Sequence, residues 1–373
     1  MKKVKNLSLC FLCLVHLLIS GCWDQNIFED IGLALVLGLE QTENGELLFS
    51  MSLPVFAEDI DETVEILSTT SNLLRQSRDQ IRNTSGKKVE GGKIQHIIFS
   101  KELAEKGIDN LLDVFIRDSE NPLLANIIVV DGSPLEMLNM SREYKDKPRL
   151  GVYLANLIRD ARRHTATPES RIYNFTILQY SETIDPVASY MRFDEIGVNI
   201  EGSALFNRNK MVGNINLIET GLLHALMGER IQFGYYIDAH SIQDESGSGK
   251  RGVTIFLHRV KRKVKTYVNG TFPEISISLD FKGIVNETDL NYRLDQSKDK
   301  KTLEDKISIL IKQDCIKLLK YLQEIGSDPI GFGEIIRAKH NEYFKSVSWK
   351  SIYPDVKFDI DVKLNFEFYG ATN

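Results

Sequence analysis

The residues with the plainest chemical purpose stand at the start of the chain, in Leu18-Ile19-Ser20-Gly21-Cys22. A thiolate is a strong nucleophile, and a cysteine directly behind small residues can take a diacylglyceryl group in thioether linkage before the chain is cut ahead of it. The residues before it have the parts of an export leader. Lys2, Lys3 and Lys5 are followed by an apolar run from Leu7 to Ile19, too short for a permanent membrane span. Charge, apolar length, small residues and cysteine coincide. The expectation is therefore a signal peptide over 1–21, cleavage between Gly21 and Cys22, and an S-diacylglyceryl cysteine at Cys22 whose freed amine can be acylated in turn. Two acyl chains hold a protein on a bilayer where one holds it only marginally. No later stretch has eighteen uninterrupted apolar residues, so the chain is expected to be anchored to the membrane without crossing it.

No other residues fall into a catalytic or ligand-binding pattern. The histidines beyond the leader are never closer than sixteen residues, and no His-Glu-x-x-His or Cys-x-x-Cys occurs, so no metal site and no cofactor are expected. Ser246-Gly247-Ser248-Gly249-Lys250 has the flavour of a phosphate loop, but Asp244 stands where glycine is required and Arg251 where serine or threonine is. It reads as a hairpin tip. Gly331-Phe332-Gly333 opens like a dinucleotide fingerprint, with Ile336 in place of the third glycine and no strand ahead of it. His96 and His224 read as satisfied structural histidines, and Arg117, Asp118 and Glu120 as a solvated helix end. Cys315 is left without a disulfide partner once the leader is removed and Cys22 is lipidated; its apolar helical surroundings make it a core residue. With no nucleophile–base pair in view, the chain reads as a binding or assembly component and not an enzyme.

The formal charge of the 373 residues is −6, and loss of a leader with three lysines and no acid makes the remainder more acidic. An acidic chain without a basic stripe does not fit a nucleic-acid binder. It is also weakly repelled by anionic lipid, which leaves the anchor to hold it at the membrane.

The elements that position these residues follow from periodicity. Ile31 to Leu39 reads as one strand covered on both faces. Asn44-Gly45 is a hairpin signal, with a second strand over Glu46 to Val55 and a helix over Asn72 to Ile81. Ile94 to Phe99 is a buried strand before helices at Glu102 to Lys106 and Asp109 to Ile116. Leu123 to Val130 is strand-like, and Asp131-Gly132-Ser133-Pro134 turns it into a helix. Val198 to Phe206 and Met211 to Leu217 form a hairpin, followed by a helix from Ile218 to Met227 that Gly228 closes. Strands are expected at 253–257, 264–268 and 275–281. Thr302 and Asp305 fit a capping box ahead of a helix with the stripe Leu303, Ile307, Ile311, Cys315, Leu318, Leu322 and Ile325. Asp328-Pro329 starts a further helix, and Val356 to Phe368 alternates through a last strand. The result is an α+β protein of three domains with mixed or antiparallel sheets packed by helices. After the leader these are an α/β domain over 22–195, a small hairpin–helix domain over 196–230, and an α+β domain over 231–373 built on an antiparallel sheet with a long helix.

Several stretches together resemble the Ger(x)C spore germination lipoproteins, the C subunits of nutrient germinant receptors. They are Gly21-Cys22-Trp23-Asp24, Gly92 to Ala104, Leu112 to Glu120, Gly202 to Gly213 and Asp328 to Gly333. They run in order through nearly the whole mature chain. One departure is Ile27, at a position where the family usually places an acid. The resemblance implies a three-domain α+β protein on the outer face of the inner spore membrane, working with two integral-membrane subunits, A and B. Cys22 is the one functional residue it carries over, as the lipid attachment site. A different reading that shares the anchor is a solute-binding lipoprotein of a transporter, which requires two doubly wound lobes around a cleft; the alternating strands near the C-terminus argue against it. An exported hydrolase would need a nucleophile and a base that the chain does not show.

Overall fold

The computed structural model describes residues 31–55, 64–118, 122–242, 252–268, 270, 272–290, 292 and 294–367. The leader, Cys22, and the glycine-rich stretch from Ser246 to Lys250 lie outside the described residues.

The first strands are β1 (Ile31–Leu33), β2 (Val36–Gln41), β3 (Leu47–Pro54) and β4 (Val64–Ser71). Then come α1 (Leu74–Thr84), β5 (Lys88–Glu90), β6 (His96–Ser100), α2 (Lys101–Lys106), α3 (Asp109–Arg117) and β7 (Asn126–Val130). The chain continues through α4 (Pro134–Met140), α5 (Leu150–Arg163), α6 (Ile172–Gln179), β8 (Val187–Phe193), β9 (Val198–Asn207), β10 (Lys210–Asn216) and α7 (Leu217–Met227). The last part holds β11 (Phe233–Asp238), β12 (Gly252–Tyr267), β13 (Glu274–Thr288), α8 (Ser297–Glu324), α9 (Phe332–Lys339), α10 (Asn341–Ser346), α11 (Trp349–Ile352) and β14 (Lys357–Phe366).

Eight strands form one large mixed sheet in the order β10-β9-β8-β7-β6-β2-β3-β4. Its centre, β8, β7, β6 and β2, is parallel; the flanking pairs are antiparallel. Parallel strands need both faces covered, and the period of two divides the side chains accordingly. Ile97, Phe99, Ile127 and Val129 face α1, α2, α3 and α6, packing with Ile81, Leu103, Phe115 and Phe175. Ile98, Ile128 and Val130 face α4 and α5, packing with Met137, Leu138, Leu154 and Ile158.

The stretch from Ile31 to Leu39, expected as one strand, is two. β1 pairs in parallel with β5 in a separate small sheet, and β2 joins the large one. The switch falls where Ala34 N donates to Glu90 O at 3.1 Å and Leu35 N to Ser52 O at 3.0 Å, so successive residues bond to different neighbours. Alternation along one chain carries no record of which strand lies alongside.

The second sheet has the order β11-β12-β13-β14. The two strands expected at 253–257 and 264–268 are one sixteen-residue strand, β12, kept in register with β13 by two irregularities. No turn residue interrupts it, and its outer half alternates exposed residues with half-buried ones, Val260 and Val264 packing against the core. β11, β12 and β13 are antiparallel, as expected, but β14 runs parallel to β13. The correction has a topological cause. The connection between them contains α8, and the crossover through it carries the chain back to the end where β13 began, so the next strand runs parallel. The face under α8 is buried through Ile277, Leu279, Phe281, Ile360 and Leu364, packed on Leu303, Ile307, Ile311, Leu318 and Leu322.

α8 starts at Ser297, ahead of the expected capping box; Thr302 Oγ1 donates to Lys298 O at 2.9 Å as a mid-helix hydroxyl. Cys315 is fully buried on the stripe, and burial pushes its thiol up to about 12, consistent with an inert core residue. The 196–230 segment belongs to both layers. β9 and β10 extend the large sheet, while Leu222, Leu223 and Leu226 of α7 pack into the core of the second.

Candidate functional site

The Asp328–Gly333 stretch is one of the places where the two sheets are tied together. The helix expected to start at Asp328-Pro329 begins at Phe332, because Asp328 caps it from further back. The Asp328 carboxylate accepts from Gly331 N at 2.9 Å, Phe332 N at 3.1 Å, Gly333 N at 2.9 Å and Trp349 Nε1 at 3.0 Å. These backbone donors are the ones a helix start offers to an anion, so Gly331-Phe332-Gly333 cradles the chain's own carboxylate instead of a nucleotide phosphate. A Cβ on Gly333 would lie 2.6 Å from Trp349 Nε1 and 2.9 Å from Thr183 O, which explains the glycine. Asp328 is 1% exposed, and burial lifts its carboxyl to about 6 against the pull of the Gly333 and Phe332 amides.

Asp328 reaches the large sheet through Asp185, also 1% exposed, just before β8. Asp328 N donates to Asp185 Oδ2 at 2.7 Å, and Asp185 N donates to Asp328 O at 3.0 Å. Arg208 N donates to Asp185 Oδ1 at 2.9 Å, and Lys350 Nζ pairs with Asp185 Oδ2. Nearby, Ser327 Oγ donates to Phe206 O at 2.7 Å and Thr183 Oγ1 to Glu334 Oε2 at 3.2 Å. Buried carboxylates need this degree of pairing to persist. Asp185, Lys350 and Trp349 were not singled out by pattern, since residues distant in sequence give no periodic signal.

A cavity of about 590 Å³ opens beside this network, lined among others by Thr165, Glu169, Asp185, His224 and Glu229. His224 Nδ1 lies 2.6 Å from Glu229 Oε2, and that hydrogen bond holds the glutamate below its ordinary range. His96 is a structural residue, as read from its strand. Its Nε2 is 3.0 Å from Gly151 O and its Nδ1 3.3 Å from Asn126 Nδ2, and burial lowers its pKa to about 4. The charged run at 117–120 is not brought together. Arg117 pairs with Asp113 at 2.8 Å and Asp118 with Arg78 at 2.7 Å, while Glu120 lies outside the described residues. Among the described residues no group of three or more His, Cys, Asp or Glu side chains is placed to hold a metal ion. This junction joins the turn before α9 to the chain ahead of β8 and to the end of β9.

The fold resembles that in the solved "Crystal Structure of the GerBC protein", with a TM-score of 0.56 at 18% identity over 88% of this chain and 96% of that one. Two family descriptions then cover the sequence: "Spore germination protein N-terminal domain" matches residues 24–193, and "Spore germination B3/ GerAC like, C-terminal" matches residues 201–370. The chain belongs to this GerAC-like family of spore germination proteins. Its relatives include Spore germination protein GerQC of Bacillus cereus, 24% identical over 97% of this chain and 98% of that protein. Spore germination protein B3 of Bacillus subtilis (strain 168) is 23% identical over 100% of this chain and 99% of that protein.

Proposed function

We propose that this protein is the lipid-anchored subunit of a spore nutrient germinant receptor, held by Cys22 on the extracytoplasmic face of the inner spore membrane. In this reading it assembles with two integral-membrane subunits, A and B, and supports the germination response to nutrients without itself catalysing a reaction. The observation that carries it is Leu18-Ile19-Ser20-Gly21-Cys22, directly ahead of a body that matches the family from residue 24. No helix among the described residues is long and apolar enough to cross a membrane, which fits attachment through the lipid. The tether between Cys22 and β1 spans at most about 30 Å when extended, so the large sheet would stand close to the bilayer. Within the body, the units 22–195 and 231–373 would act as two layers, with 196–230 as the piece that links them.

The test is a gentle detergent pull-down of tagged protein from dormant spore membranes with mass spectrometry of what accompanies it. Two polytopic membrane proteins without nucleotide-binding domains are expected, and Cys22→Ala should release the protein from the membrane fraction. A permease together with an ATPase would replace this reading with a solute-binding lipoprotein.

A further inference from the structure

A second concavity, of about 690 Å³, lies where α5, the start of α6 and the connection from α7 to β11 meet. Its walls hold five arginines, Arg159, Arg162, Arg163, Arg171 and Arg230, and no acidic residue. In a chain of net charge −6 this is a local reversal of the field. Glu169, at its edge, is the one carboxylate ion-paired with any of the five among the described residues, to Arg162 at 2.5 Å and Arg171 at 3.0 Å. Arg159 donates to the neutral Asn156 side chain and has no ion pair among the described residues, and Arg163 and Arg230 are exposed.

The cleft is built, not merely crowded. Glu169 bridges Arg162 and Arg171 at the edge of the cleft. The Gln232 amide, oriented to satisfy both neighbours, donates to Arg163 O at 2.9 Å and accepts from Arg230 Nη2 at 2.9 Å. Gln232 N donates to Thr165 Oγ1 at 2.5 Å, and Thr165 is a buried non-glycine residue at φ +52°. Backbone in that region is costly for a β-branched residue and persists where its surroundings hold it. Like charges gathered on three walls are unfavourable without a counter-charge between them. Arginine offers planar forks that take oxyanions two donors at a time. Forks arriving from several directions can surround a tetrahedral oxyanion, whereas a planar carboxylate is satisfied by one.

We propose that this cleft binds a phosphate group, carried either by a free small molecule or by a lipid headgroup. Because its walls come from α5 on the large sheet and from the connection into the second sheet, the ligand would bridge the two layers. The site does not depend on the Cys22 anchor or on assembly with membrane subunits.

The experiment is calorimetric titration of the full chain in neutral detergent, with inorganic pyrophosphate as the free probe and monomeric dihexanoyl phosphatidylglycerol as the headgroup probe. Saturable binding of at least one is expected, weakened at least about tenfold by Arg163→Glu with Arg230→Glu. Arg75→Glu, an exposed arginine on α1, should leave it unchanged. Arg159→Gln with Arg163→Gln, a milder change, should weaken binding in the same direction at an unchanged melting temperature. Pyrophosphate alone would identify a free ligand, and the lipid probe alone a headgroup; either supports the site. Absence of saturable binding by both probes, equal loss in Arg75→Glu, or citrate binding as tightly as the phosphate probes would overturn it.

Discussion

His96 has no exposed surface in the middle of the large sheet, and its ring is held between Gly151 O and the Asn126 side chain. Its pKa of about 4 lies below the ordinary 6.5 because burial disfavours the cation. Below pH 6.5 the unfolded chain takes up a proton that the folded chain refuses until about 4, so His96 withdraws stability as pH falls across that window. The full effect is about 3 kcal/mol. Asp328 works in the opposite sense. Burial raises its carboxyl from 3.8 to about 6, so over that interval the folded state holds a proton the unfolded state lacks, and stability rises as pH falls. His96→Gln should therefore flatten the acid-side decline in denaturant midpoint between pH 6.5 and 4, and Asp328→Asn should steepen it. Parallel slopes in wild type and both variants would refute the assignment. The histidine's role was legible from its place in an apolar strand. The carboxylate's role was not, because its partner Asp185 lies 143 residues away.

At the scale of elements, β9 shows how a single residue sets a strand's path. Gly202 has φ +142°, and a Cβ there would fall 2.1 Å from Ile215 O of the hairpin partner β10. The register with β8 shifts at the same point, between Tyr190 and Met191. Gly202→Ala should cost about 2 kcal/mol or more, read as a lower urea midpoint with an unchanged slope. Pairing with backbone at that distance leaves no rotamer escape. α8 offers the complementary case. Leu318 and Leu322 are 2% and 0% exposed, and truncating either to alanine should cost about 2–5 kcal/mol by chemical denaturation. The stripe of α8 was readable because a 3.6-residue period is a local property. Its first turn was not, since Thr302 and Asp305 matched a cap on paper while the helix had room to begin upstream at Ser297.

Across the whole molecule, the two sheets share an apolar core, which Val187, Leu205 and Ile215 enter from the large sheet, and a polar junction beside it. Lys350 neutralises Asp185, and Asp185 in turn holds Asp328 and the turn at Arg208. Lys350→Ala leaves a buried carboxylate without its cation, a change worth about 3 kcal/mol or more. The expected outcome is loss of a single concerted transition: amide exchange should show the second sheet opening before the large one. Concerted unfolding at the wild-type midpoint would show that the apolar contact through α7 couples the layers by itself.

The order and type of most elements, the buried stripe of α8, the α+β class and the resemblance to spore germination proteins were written in the sequence, because each rests on local period or on short ordered motifs. The same holds for the expectation of a lipid at Cys22. Four things were decided only by tertiary structure: the division of Ile31–Leu39 between two sheets, the parallel direction of β14, the Asp185–Asp328–Lys350 junction and the arginine cleft. In each case the deciding partner is remote in sequence. Strand pairing, burial of charge and convergence of like charges are properties of neighbours in space, and a one-dimensional pattern records only neighbours along the chain.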